Sequence, residues 1–181
     1  MNCHKIFTKG RYMKFFAPFF LIFLSSFAMA DSQKIGTDVA DEVIRKIDAE
    51  KIADGIYTPS AFQFIKKDQS TPTCLLVDKN NSNAILEIMA PEEMEYPNCN
   101  KIWKPIIAKV GSDYFAAYRY DVEDPKKVFT ASYQLIKITK DGFYKCKEDD
   151  SISERLQKKK ARTETTIKDV IKLTGCTPTP L

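Results

Sequence analysis

Four cysteines, Cys74, Cys99, Cys146 and Cys176, are the residues of this chain best placed for covalent chemistry. Their successive spacings are 25, 47 and 30 residues. No Cys-x-x-Cys occurs, so a thioredoxin-like redox pair is unsupported. A four-cysteine zinc site draws its ligands as close pairs, and these spacings are too wide for that. An even number of cysteines in an exported chain reads as two disulfides. Of the three possible pairings, neighbouring elements favour Cys74–Cys99 and Cys146–Cys176. Loops of that size contribute about 3–4 kcal/mol each on the chain-entropy view.

Paired carboxylates are the other chemistry on offer. Acids cluster at Glu92, Glu93 and Glu95, at Asp121, Glu123 and Asp124, and at Glu148, Asp149 and Asp150. A glycosidase needs two carboxyls about 5–9 Å apart across a cleft, one of them desolvated. These clusters sit in expected turns, where carboxylates stay solvated and ionised. None has the alternating acids, central glycine and terminal glutamate of an EF-hand loop. The chain contains no G-x-S-x-G, S-x-x-K, H-E-x-x-H or Walker A pattern. Six glycines in the chain leave no phosphate-cradling loop. No catalytic residue, metal ligand or cofactor is assigned.

Histidine chemistry depends on the start of the chain. Phe15 to Phe27 is a run of thirteen mostly apolar residues, preceded by Lys5, Lys9, Arg11 and Lys14 and followed by Ala28-Met29-Ala30. A basic region, a short apolar stretch and an A-x-A site make a cleavable signal peptide, with cleavage expected after Ala30. The run spans about 20 Å, too short for a hydrocarbon core of about 30 Å. Export to the periplasm would remove His4, the single histidine, and Cys3. A thiol or serine nucleophile would then have no imidazole to activate it. Removing the four leader bases from 28 leaves 24 basic against 24 acidic residues. A balanced chain lacks the basic excess that nucleic acid or anionic membrane requires. No second apolar run is long enough to span a membrane.

The elements expected to carry these residues form one α+β domain, residues 31–181. Thr37 to Ala53 has apolar residues at three-to-four spacing (Val39, Ala40, Val43, Ile44, Ile47, Ile52) and reads as an amphipathic N-terminal helix ending at Gly55. A meandering antiparallel sheet of about six to seven strands follows. Its strands are expected at Phe62–Lys66, Thr73–Asp78, Ala84–Met89, Ile106–Val110, Tyr114–Val122, Lys127–Thr139 and Phe143–Lys147. Asp141-Gly142 between the last two predicts a type I′ hairpin. A shift of the apolar register from Tyr133 and Leu135 to Ile136 and Ile138 predicts a bulge near Leu135. Ser153 to Thr174 reads as one long C-terminal helix, capped by Ser153 and stopped by Gly175.

Tyr114, Tyr118 and Tyr120 alternate with Phe115, Ala117 and Arg119 along one strand. One strand shows one face to a single core, so Tyr118 and Tyr120, with Trp103, form a candidate interface patch. The acidic stretch Glu92, Glu93, Glu95 and Tyr96 is the candidate contact for a cationic cleft on another protein. The basic run Lys158–Arg162 reads as a solvated helix face that could also dock an acidic partner. The resulting expectation is a small exported protein-binding protein, an inhibitor or immunity protein that blocks a secreted toxin or cell-wall enzyme. The alternatives are a carboxylate-only cell-wall hydrolase and an envelope structural or assembly factor.

Overall fold

The computed structural model describes residues 40–66, 70–88, 99–123 and 126–181. The expected leader, the acidic stretch Glu92, Glu93, Glu95 and Tyr96, and Asp124 lie outside them. The first strands are β1 (Ala40–Ile47), β2 (Lys51–Ala53), β3 (Ile56–Tyr57), β4 (Ser60–Lys66), β5 (Thr73–Val77) and β6 (Ala84–Ile88). Then come β7 (Lys101–Ile102), β8 (Ile106–Val110), β9 (Asp113–Glu123), β10 (Phe129–Thr139) and β11 (Gly142–Cys146). Helices α1 (Asp149–Lys158) and α2 (Glu164–Thr174) precede a last strand, β12 (Pro178–Pro180).

The architecture is α+β with antiparallel sheets, as expected, but the strands divide into three sheets. One runs β1-β4-β5-β6, one runs β12-β11-β10-β9-β7 with β8 also on β9, and β2-β3 is a small ribbon. All seven expected strands are present. β12 holds two of its three residues as proline, which suits a sheet edge where no ladder N–H is needed.

The expected N-terminal helix is not formed. Residues 40–47 pair with β4 instead, with register shifts between Ala40 and Glu42 and between Val43 and Arg45. Each shift inserts an extra residue and breaks the two-residue period of a strand. Of the apolar residues whose spacing suggests a helix, Ile47 is buried while Val43 and Ile44 are 53% and 45% exposed, so that spacing marks no single buried face. Gly55 ends no helix either. It sits at φ +69° in the two-residue Asp54-Gly55 turn between β2 and β3.

β9 and β10 form the structural centre, and both faces of β10 are covered from Tyr133 to Ile138. Even-numbered Ala116, Tyr118, Tyr120, Val122, Ile136 and Ile138 pack against Ile47, Ala61, Leu76 and Ile88 of the first sheet. Odd-numbered Phe115, Ala117, Tyr133 and Leu135 pack against Ile152, Leu156, Ile167 and Val170 of the helices. Pairing of β9 with β10 is continuous from Glu123 to Tyr114, so the expected bulge at Leu135 is absent. The apolar residues change parity there because each face meets its own core. The β10–β11 hairpin forms, but Asp141 has no positive φ and the turn is not type I′. Thr139 Oγ1 accepts the Asp141 N–H at 3.1 Å instead.

Both expected disulfides are present. Cys74–Cys99 lies in the core between the sheets, and Cys146–Cys176 ties the end of β11 to the chain after α2. Gln63 Nε2 donates to the carbonyls of Cys99 (3.0 Å) and Asn100 (2.7 Å), which fixes the start of β7 against β4.

Candidate functional site

The site is built where the cover on β10 ends. β11 pairs with β10 only from Ile136 to Thr139, leaving the first half of β10 without a strand on that side. α1 takes that place with side chains at i, i+4 and i+8. Asp149 Oδ2 accepts from Gln134 Nε2 at 3.0 Å, and Ser153 Oγ accepts the Tyr133 N–H at 3.3 Å. Gln157 Nε2 donates to Ser132 Oγ at 3.3 Å. One helical stripe thus tracks the open strand edge.

The stripe stops because α1 stops. The Ala161 N–H donates to the Leu156 carbonyl and the Lys160 N–H to the Gln157 carbonyl, both at 2.9 Å, the two bonds of a Schellman turn. Lys160 occupies the left-handed position at φ +47° that glycine favours. Ala161 is buried behind it, and its carbonyl accepts Tyr133 Oη at 2.8 Å. Thr163 then caps α2 by accepting the Thr166 N–H at 3.3 Å. The expected single helix is therefore two, and Thr163 is the cap of the second. Ser153, expected to cap, sits inside α1.

Past Tyr133 the helix-side face of β9 and β10 lies open. A groove of about 600 Å³ has Arg119, Asp121, Phe129 and Ala131 as floor and Lys158, Lys160 and Arg162 as wall. A second hollow of about 410 Å³ continues past Asp121 and Phe129 to Asn100, Lys101 and Glu123. Phe129 is 61% exposed at the junction, and Val128 beside it is 55% exposed. Arg119 lies 5.1 Å from the Trp103 ring and its guanidinium donates to Asp121 Oδ1 at 3.0 Å. Lys101 Nζ sits 3.9 Å from the same ring. A cation over an indole face is held by the ring quadrupole, so Trp103 holds Arg119 and Lys101 beside it. The Trp103 Nε1 and Arg119 Nε atoms are enclosed and have no hydrogen-bond partner among the described residues. Five cations against Asp121 and Glu123 make the surface positive.

The expected site residues separate on this frame. Trp103 lines neither hollow itself and reaches the groove only through Arg119, 5.1 Å from its ring. Tyr118 and Tyr120 do not reach the surface: they are 0% and 6% exposed, because the first sheet covers the face expected to be outward. Burial raises the Tyr118 phenol well above its ordinary range and pushes Tyr120 up to about 12. Lys158–Arg162, read as a solvated helix face, instead contains the turn that walls the groove. Glu148 is tied to the N–H and hydroxyl of Thr177 at 2.8 and 2.7 Å. Asp149 is buried, which raises its pKa against the pull of Lys145 and Gln134. Among the described residues no group of three or more His, Cys, Asp or Glu is arranged to hold a metal ion.

Phe129, Ala131 and Arg119 are not among the candidate contacts read from sequence, and Lys160 enters only as part of the basic run Lys158–Arg162. Arg119 carries a signal, because with Asp121 it turns charged a strand face that Phe115 and Ala117 begin as apolar. The turn at Lys160 has no sequence signal, because nothing marks a lysine for a position suited to glycine. No family model, curated protein or solved structure compared with the chain matches it.

Proposed function

We propose that this is an exported binding protein that grips another protein, in the manner of a periplasmic inhibitor or immunity protein. The observation that carries the reading is the groove. Its floor is rigid sheet, it exposes one large aromatic at the centre, and cations surround that aromatic. Aromatic and arginine side chains in a preorganised hollow are what protein interfaces use as anchors. The two disulfides support an oxidising compartment. They also hold the scaffold in its binding shape, which lowers the entropy lost on association. Among the described residues no helix is long and apolar enough to cross a membrane.

Of the acids a carboxylate-only hydrolase would use, Asp121 and Glu123 line the second hollow but are engaged by Arg119 (3.0 Å) and Asn100 (2.7 Å), and Asp149 is the buried one whose pKa is raised. That carboxylate is engaged by Gln134 and by Lys145 (3.5 Å) at the seam between α1 and β10, away from both hollows. Its raised pKa is the consequence of docking a helix on a strand edge.

The test is stoichiometric co-purification from envelope extract, comparing the protein with its Phe129→Ala, Arg162→Glu variant. The reading expects one partner retained by the first and lost from the second. Equal retention would move the interface elsewhere. Sugar release from peptidoglycan by the purified protein would favour the hydrolase.

A further inference from the structure

We propose that the groove receives an extended acidic segment of the partner, which adds to the open edge of β10 at Phe129–Ala131 as a short strand. This rests on the binding-protein reading above and names the chemistry of what is bound.

The backbone supplies the first argument. Along a strand, successive N–H and C=O groups alternate between the two neighbours. The Tyr133 N–H points away from β9, to Ser153 of α1. Ala131, two residues earlier on the same unbroken register, turns its N–H and carbonyl to the same side. Phe129, two earlier again, does likewise. Neither β11 nor the α1 stripe reaches these positions. Ala131 and Thr130 line the same hollow as Lys158 and Lys160, so open strand edge and cationic wall face one space.

Charge supplies the second. Glu154 pairs with Lys158 at 2.6 Å and Asp121 with Arg119 at 3.0 Å. Among the described residues Lys160 and Arg162 form no ion pair, and both stand at the wall. Carboxylates spaced along an extended peptide would meet them there. Phe129 offers an apolar contact to the side chains between.

Backbone strain is the third. Lys160 holds a left-handed conformation that costs a residue with a Cβ about 1 kcal/mol or more. Strain of that kind collects at binding sites. Glycine there would relieve it and remove the cation.

The experiment uses fluorescence anisotropy of a labelled seven-residue peptide of alternating glutamate and valine. Two controls accompany it: lysine in place of glutamate, and N-methylation of alternate residues in each register. The acidic peptide is expected to bind. The lysine peptide and one N-methylated register should bind at least about tenfold more weakly, about 1.4 kcal/mol. Lys160→Gly and Arg162→Glu should weaken binding by at least as much, with no fall in the Lys160→Gly unfolding midpoint. Ala131→Pro deletes the outward N–H without touching the β9 ladder and should do the same. No binding of the acidic peptide overturns the proposal. So does equal binding of both N-methylated registers, which would leave charge alone. Self-association of Lys160→Gly with peptide affinity unchanged would make the lysine a guard on the edge and also overturn it. If the co-purified partner is still lost on groove substitution while the peptide fails, only strand addition falls. If no partner is retained at all, the binding reading falls with it.

Discussion

Tyr118 Oη donates to the Pro59 carbonyl at 2.6 Å, joining residues 59 apart and pinning the central β9 to the chain entering β4. Tyr118 is fully buried, so removing its hydroxyl leaves that carbonyl without this donor in a dry interior. Tyr118→Phe is expected to lower stability by about 1–2 kcal/mol, read as a shift of the urea midpoint at constant slope.

The same tyrosines set an alkaline limit. Burial raises both phenols in the fold, Tyr120 to about 12, against an ordinary value of about 10. The neutral forms are the ones the fold favours. Their contribution is complete below the unfolded value and is lost as pH rises through the folded value. Stability is therefore expected to fall from about pH 10 upward. Tyr120→Phe should flatten that fall, with chemical denaturation at stepped pH as the measurement.

Asp149 has the opposite consequence for a mutation. Desolvation raises its pKa more than Lys145 and Gln134 lower it. The neutral acid is favoured, so its contribution is present below the ordinary carboxylate value and lost as pH rises through the folded one. Asp149→Asn keeps a carbonyl for Gln134 and removes the buried charge. It is expected to match or exceed the parent at neutral pH, with the difference shrinking toward acid. Thermal midpoints across that range check it.

Lys160→Gly is expected to raise stability, up to about 1 kcal/mol, because glycine adopts a positive φ without a Cβ penalty. Glycine's greater freedom in the unfolded chain limits the gain. A lower thermal midpoint would mean that the lysine stem packs in the turn.

Much of the sheet was legible in the residues. Seven strands, the β10–β11 hairpin and both cysteine pairs follow from alternation, turn chemistry and spacing. The failures share one physical cause. Local pattern reports which residues are apolar, not which layer receives them. In β1 the helical spacing of Val43, Ile44 and Ile47 is misleading, because only Ile47 enters the core and the strand is twice bulged. β10 carries no bulge, yet its apolar residues changed parity because two cores flank it. Asp54-Gly55 is the same dipeptide as Asp141-Gly142 and marked a hairpin that the helical reading concealed. The helix break at Lys160 has no glycine or proline to announce it. Of the candidate site, Trp103 was legible as an amphipathic aromatic. Phe129 and Ala131 were not, since openness there depends on where β11 and α1 stop.

The central claim is that another protein sits on the groove at Phe129. The most direct measurement is site-specific photo-crosslinking in intact cells, with p-azidophenylalanine at position 129 and, separately, at Leu173 on α2, which is 66% exposed. The account predicts a single protein adduct from position 129 and none from 173. An adduct from 173 with none from 129 would contradict it.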